Sequence, residues 1–240
     1  MFSPLVHAQW SPDAARPAAS DRVAVAVDPT LTERRSVSLL HPEEGPSLLT
    51  LSPARSDQLG LASGEDVEPR ELRARLDRHG ITLNDPDVLF ILPLAEQTAL
   101  RAEGPDPRTR ELTAADAPLF EEFTRAAPED DLDEAFVELD HWLVVGTVVE
   151  GRLASVSSMY PWGETRFADL GVITLPEQRG QGLGRATVRG ISAAALDRGY
   201  EPQYRCQVEN TSSIALAESA GFRRLGNWEI IDAERSRPLA

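Results

Sequence analysis

The sequence predicts an α+β fold in two parts, a smaller N-terminal domain followed by a larger C-terminal one. Strand-length apolar runs such as Val23 to Val27 and Trp142 to Val149 share the chain with helical patterns such as Pro69 to His79. The stretch Glu103-Gly104-Pro105-Asp106-Pro107 interrupts any regular element, because two prolines and a glycine cannot continue one. Beyond it the elements follow in the order β-α-α-β-β-β-α-β-α-β, with a glycine-rich turn, Arg179-Gly180-Gln181-Gly182-Leu183-Gly184, between the fourth strand and the third helix.

Each element has its reason. Residues 1 to 20 are rich in Pro, Ala, Ser and Asp without periodicity and read as a loosely ordered arm. From 21 to 103, Val23 to Val27 alternates like a strand, and Val37 to Leu40, Leu48 to Leu51 and Val88 to Leu92 are short apolar runs. Pro69 to His79 carries Leu72 and Leu76 at helical spacing, with Pro69 opening the helix and Gly80 closing it. This half reads as a small α+β accessory domain, 104–107 as a linker, and 108–240 as the second domain.

In the second domain Arg110 to Leu112 suggests a short strand, and Thr113 caps a helix through Arg125 with Asp116 as the capping-box acid. Pro128 restarts a helix to about Asp140. Trp142 to Val149 and Arg152 to Tyr160 form a hairpin about Glu150-Gly151, and Phe167 to Leu175 is the next strand. Val188, Ile191, Ala195 and Leu196 make an apolar face on the helix from Arg185 to Arg198, ended by Gly199. Tyr204 to Val208 is a strand, Asn210 caps a helix to Ala220, and Gly221 ends it. Phe222 to Ile231 is strand-like with a break at Gly226-Asn227.

Composition narrows the function. The 41% hydrophobic content is enough for a globular core. No apolar run is long enough for a membrane span and the N-terminus lacks a signal-peptide pattern, so a cytoplasmic protein without a membrane partner is expected. A net charge of -15 repels a phosphate backbone, which disfavours nucleic acid and favours cationic small molecules. Cys206 is the only cysteine, and His7, His41, His79 and His141 lack ligand spacing, so no metal site is expected. The chain has no lysine; its 24 basic residues are all arginine, which removes lysine Schiff-base chemistry.

The glycine-rich turn carries the most chemistry. Between a strand and a helix, such a turn aims successive backbone N–H groups at one anion, with the positive end of the helix behind them. No Gly-Lys-Ser/Thr follows, and the first glycine and downstream acid of a dinucleotide fingerprint are missing. A phosphate-bearing ligand other than a nucleoside triphosphate or NAD is implied.

Leu170 to Gly184 (LGVITLPEQRGQGLG) and Asn210 to Phe222 (NTSSIALAESAGF), at this separation and in this element order, resemble the GNAT superfamily of acetyl-CoA-dependent N-acyltransferases over roughly the last 130 residues. GVITLPEQRGQGL, Cys206, Asn210, Ser213 and LAESAGF also look like its branch of zwittermicin-resistance-like proteins. The resemblance implies a central mixed, mostly antiparallel sheet flanked by helices. It further implies that the backbone of Arg179, Gly180, Gln181, Gly182, Leu183 and Gly184, with Arg185 opening the helix, holds the pyrophosphate of coenzyme A. Val172, Ile173 and Thr174 would pair with the pantetheine arm and the thioester, and Asn210 would lie near that arm. No metal is implied.

Transfer to an amine requires an ammonium with a pKa near 10 to lose a proton, and a thiolate, near 8.5 by analogy with cysteine, to gain one. By resemblance Asp169 is the first choice for base. The tyrosine that many relatives place seven residues after the asparagine is Ala217 here, which leaves Ser213 or Tyr160 as proton donor. The acidic run Glu129, Asp130, Asp131, Asp133, Glu134 would suit a cationic amine.

These residues have plain structural readings too: Asn210 as a helix cap, Ser213 within its network, Asp169 as an acid on the sheet, the acidic run as a solvated face, and Cys206, Tyr160, Trp162 and Trp142 as packing. The primary expectation is an N-acetyltransferase acting on a small-molecule amine. The alternatives are an acyl-CoA-binding sensor or partner-binding module with little turnover, and a binder of ATP or NAD. The N-terminal half would cover the acceptor site or make a homodimer contact.

Overall fold

The computed structural model describes residues 1–10, 21–104 and 106–237. In chain order the elements are α1 (Pro4–Trp10), β1 (Val23–Val27), β2 (Val37–Pro42), β3 (Ser47–Leu51), α2 (Pro53–Leu59), β4 (Asp66–Val67), α3 (Pro69–His79) and β5 (Asp87–Ile91). There follow α4 (Leu94–Glu103), β6 (Thr109–Glu111), α5 (Ala117–Ala126), α6 (Glu129–Ala135), β7 (Leu143–Val149), β8 (Arg152–Pro161) and β9 (Phe167–Thr174). The chain closes with α7 (Leu183–Asp197), β10 (Glu201–Gln207), α8 (Thr211–Ser219) and β11 (Arg223–Ile230). From β6 onward this is the order read from the sequence. No helix among the described residues is long and apolar enough to cross a membrane.

The chain divides into two compact units, one of Met1–Ser3, Phe90–Arg205 and Asn210–Arg223, the other of Pro4–Leu89, Cys206–Glu209 and Arg224 onward. In the second, β1 pairs with β3 in parallel and with β4 antiparallel, and β2 pairs antiparallel with β3 and β11. Alternate residues of these strands, Val23 and Val25, Val37 and Leu39, Leu49 and Leu51, join Leu59, Leu72 and Leu76 from α2 and α3 in one buried cluster. Ser52 and Gly60 cap α2, and Gly80 closes α3 in the left-handed conformation.

Four expectations are corrected. The proposed arm contains α1, whose Val6 and Trp10, at i and i+4, are buried, Trp10 edge-on to Trp228 at 5.7 Å; residues 11–20 lie outside the described residues. The division falls at Phe90 rather than at 104–107. Helix α4 belongs to the larger unit, because Glu103 pairs with Arg189 of α7 and Gln97 Nε2 donates to Glu201 Oε2 at 2.7 Å; Pro105 lies outside the described residues. The helix expected to reach Asp140 stops at Ala135, where Phe136 turns left-handed (φ 47°) and sends Val137 into the core. Finally, β11 runs unbroken through Gly226 and Asn227, and all of it after Arg223 belongs to the smaller unit. A Cβ on Gly226 would lie 2.2 Å from His41 O, so this glycine permits close strand approach.

In the larger unit β6, β7, β8 and β9 form an antiparallel run, and β10 pairs with β9 in parallel. One face is covered by α5 and α6 through Leu112, Phe123, Val137, Val144, Leu153, Val156 and Ile173. Helix α7 buries Val188, Ile191 and Ala195 against the sheet, held by a hydroxyl chain from Thr109 through Thr147 to Thr187 at 2.7 and 2.6 Å. Buried hydroxyls without such partners would cost about 1–3 kcal/mol each. The hairpin turns on Glu150 and Gly151, both at positive φ as a two-residue loop of this hand requires.

Candidate functional site

Strands β9 and β10 pair from Phe167 with Glu201 to Leu170 with Tyr204, and there the pairing ends. On its other side β9 stays in register with β8 as far as Thr174 opposite Ser155. From Gly171 onward β9 therefore has an edge without strand partners among the described residues. Successive strand residues point their peptide groups to opposite sides. Leu175 N donates to Ala154 O at 3.0 Å, Ile173 O accepts from Ser155 Oγ at 3.0 Å and Gly171 O accepts from Ser157 Oγ at 2.6 Å, so these residues face β8. Val172 and Thr174 face the open edge, with Thr174 O accepting from Arg179 Nε at 3.0 Å. Of the three residues expected to pair with a ligand arm, Val172 and Thr174 are on that edge, while the peptide of Ile173 turns toward β8 and its side chain enters the core.

The edge leads into the glycine turn. Gly180 (φ 74°) and Gly182 (φ 75°) are left-handed, and a Cβ on either would meet no atom within 4 Å. Gly184 differs: its Cβ would lie 2.8 Å from Thr174 Oγ1, so the first turn of α7 presses against β9 there. The first backbone N–H groups of α7 have no intrahelical acceptor, and with the helix dipole they favour an anion. Arg179 and Arg185 flank the turn, Arg179 bonded to Asp131 at 2.5 Å and Arg185 to Ser219 O at 2.8 Å. The space beside Gly180 and Gly182 and the cationic rim fit a pyrophosphate.

Where the two strands part, Asp169 is 4% exposed. Its Oδ1 accepts from Gln203 Nε2 at 2.6 Å and its Oδ2 from Arg205 Nη2 at 2.7 Å. Both carboxylate oxygens are engaged by β10, and the ion pair ties β9 to β10 at the last paired positions. Charge-assisted bonds of this kind are stronger than neutral ones.

On α8, Asn210 Oδ1 accepts from Ser213 N at 3.0 Å, the cap expected of it, and Ser212 Oγ donates to the same oxygen at 2.9 Å. Ser213 Oγ lies 2.7 Å from Tyr204 Oη. Tyr204 belongs to the last β10 pair and is 2% exposed. Ala217 is fully buried one turn further along α8 on the face of Ser213.

Helix α6 runs beside the open edge. Asp131 meets Arg179 at the turn, Glu134 Oε2 lies 3.5 Å from Asn210 Nδ2, and a Cβ on Gly171 would sit 1.8 Å from Ala135 O. The acidic run is thus more than a solvated face. Phe136, 54% exposed, follows; its ring is 5.0 Å from His141 and 5.9 Å from Tyr160, and His141 is 5.2 Å from Tyr160. His141 Nδ1 is 2.8 Å from Ser158 Oγ, and that oxygen accepts from Glu138 N at 3.3 Å. Tyr160 pairs with Asp169 and Ser158 with Gly171, so this cluster stands over β8 beside the parting strands. His141 carries no role in the sequence beyond its lack of metal-ligand spacing, and its neighbours here come from distant segments. The signal within reach was Ser155, Ser157 and Ser158, polar residues at the centre of an otherwise apolar strand. Among the described residues no group of three or more His, Cys, Asp or Glu could hold a metal ion.

This combination of an open parallel-strand edge, a glycine turn and a capped α8 coincides with a family match. Residues 109–222 match the Acetyltransferase (GNAT) family, and this segment belongs to that family. Over 63 residues the chain is 35% identical to YdfB of Bacillus subtilis (strain 168), an uncharacterized N-acetyltransferase; that is 26% of this chain and 24% of the relative. A GNAT-family acetyltransferase structure from Novosphingobium aromaticivorans is similar with 26% identity and a TM-score of 0.47, covering 63% of this chain and 66% of that one. One from Colwellia psychrerythraea is similar with 18% identity and a TM-score of 0.48, covering 68% and 62%.

Proposed function

We propose that this protein is a cytoplasmic N-acetyltransferase that moves an acetyl group from acetyl-CoA to a primary amine of a small cationic molecule by direct attack. The observation that carries the proposal is the open edge of β9 leading into the glycine turn. Four residues from Gly171 to Thr174, at about 3.3 Å each, give about 13 Å of edge. An extended pantetheine arm has amides that can pair along such an edge, with Val172 N–H and C=O and Thr174 N–H as partners. Its pyrophosphate would lie on the backbone of Arg179 to Gly184 at the start of α7, with Arg185 at the rim. The thioester would then reach the point where Leu170 and Tyr204 end their pairing. Ser213, backed by the Tyr204 hydroxyl, stands in for the tyrosine replaced by Ala217 and would give the leaving thiolate its proton. The acidic α6 favours a cationic acceptor.

Calorimetry with acetyl-CoA, ATP and NAD tests the ligand class: binding of acetyl-CoA alone is expected, and preference for ATP or NAD would contradict the proposal. Thiol release from acetyl-CoA across a panel of amines tests the reaction. Ala217 favours a second reading, an acyl-CoA-binding sensor, for which acetyl-CoA would bind yet no amine would release thiol.

A further inference from the structure

Both carboxylate oxygens of Asp169 accept hydrogen bonds from Gln203 and Arg205 and the residue is 4% exposed, which favours a different base for the proton of the acceptor ammonium. Resting on the acetyl-transfer reading above, we propose that His141 takes that proton, in an acceptor site walled by Phe136 and Tyr160. Three observations carry this.

First, the imidazole is held in a fixed attitude. Nδ1 is 2.8 Å from Ser158 Oγ, the ring packs edge-on against Phe136 and Tyr160, and Ser158 is itself fixed by Glu138 N–H. With Nδ1–H donating to Ser158 Oγ, the lone pair of Nε2 is the reactive one. The Glu138 carboxylate is 3.6 Å from Nε2, beyond hydrogen-bond length, on a side chain half exposed to water.

Second, the position matches the thioester. Ser158 is opposite Gly171, the first residue of the open edge, so His141 stands one strand away from where the arm would end.

Third, the wall is built at a cost. Phe136 is a non-glycine residue at φ 47° with an exposed ring. A bulky residue in that region is strained by about 1–3 kcal/mol, the kind of outlier found at ligand sites. Aromatic faces beside Glu134 and Glu138 suit a cationic amine. Glu138 on its own loop and Tyr160 on β8 lie against the imidazole, and Asp169, opposite Tyr160 on β9, has its charge met by Arg205.

The step balances. The acceptor R–NH3+ gives one proton to His141 Nε2, and the amine lone pair forms the C–N bond at the thioester carbonyl. The C–S bond breaks with its electron pair going to sulfur, and the thiolate takes the second proton, leaving an N-acetyl amine and free thiol. His141 returns its proton to water past Glu138.

The test measures thiol release from acetyl-CoA at pH 7 with ethylamine, which is protonated there, and with hydroxylamine, which is already neutral. His141→Gln keeps a donor for Ser158 Oγ, and acetyl-CoA calorimetry reports whether its site is intact; His141→Asn serves if the first variant does not fold. The expected result is a roughly 100-fold loss with ethylamine and little change with hydroxylamine. Equal ethylamine rates in wild type and variant, at or above the buffer rate, would overturn the assignment. So would an equal loss with both nucleophiles, the mark of a structural role. If wild type fails to bind acetyl-CoA, the acetyl-transfer reading itself falls.

Discussion

The two halves of β9 are one strand with different edges. From Phe167 to Leu170 the strand is paired on both sides, and Asp169 locks it to Gln203 and Arg205 of β10. From Gly171 to Thr174 it is paired, among the described residues, only with β8. Exposed strand edges are a liability that proteins ordinarily cover. An edge left open beside a tightly locked one is what the proposed pantetheine arm requires. The glycines divide the same way: Gly180 and Gly182 face empty space, whereas Gly171 and Gly184 are pressed against Ala135 and Thr174.

Changes at the open half should act on ligand affinity, and changes at the locked half on stability. The largest effect is expected for Gly182→Asp, whose side chain has open space but whose backbone must hold the left-handed φ of 75°, and which sets a carboxylate where the pyrophosphate would lie. Acetyl-CoA affinity measured by calorimetry should fall at least about 100-fold, or roughly 2.7 kcal/mol, in a variant that still folds with a melting temperature lowered by the left-handed strain of about 1 kcal/mol. Asp169→Asn, at the locked half, should lower unfolding stability by about 1–3 kcal/mol in urea, because Arg205 loses its partly buried counter-ion. Unchanged stability with an altered pH–rate profile would instead restore Asp169 as the base. Ser213→Ala should slow thiol release by about tenfold, or about 1.4 kcal/mol, since water can replace part of a donor's role.

The smallest effect lies away from both halves. A side-chain hydrogen bond from Arg110 and a backbone one from Thr113 hold the Asp116 carboxyl at about 2, below its ordinary 3.8. A folded-state value below the unfolded one stabilises the fold above pH 3.8, and that contribution disappears as pH falls through about 2. Asp116→Asn should thus lower the melting temperature slightly at pH 6 and have no effect near pH 2, a difference that a thermal melt at each pH would read.

The strand and helix order of 108–231 was legible because it depends on local periodicity and caps: Thr113, Asn210 and Gly199 do in the structure what their residue types predict. The glycine turn was legible for the same reason. The division of the chain was not, because β11 pairs with β2 nearly two hundred residues away and no local signal announces a non-local pair. The engagement of Asp169 depends on Gln203 and Arg205, brought opposite it by a parallel register that the sequence does not encode locally. The His141 cluster draws on β8, α6 and the loop between α6 and β7, and arises only when these meet.

The most direct test of the account is amide hydrogen exchange of β9 with and without coenzyme A. The open edge predicts that Val172 and Thr174 gain protection on binding, while Ala168 to Leu170, already paired, and Ile173, turned toward β8, do not. Binding of coenzyme A that leaves Val172 and Thr174 exchanging at their free rates would contradict it.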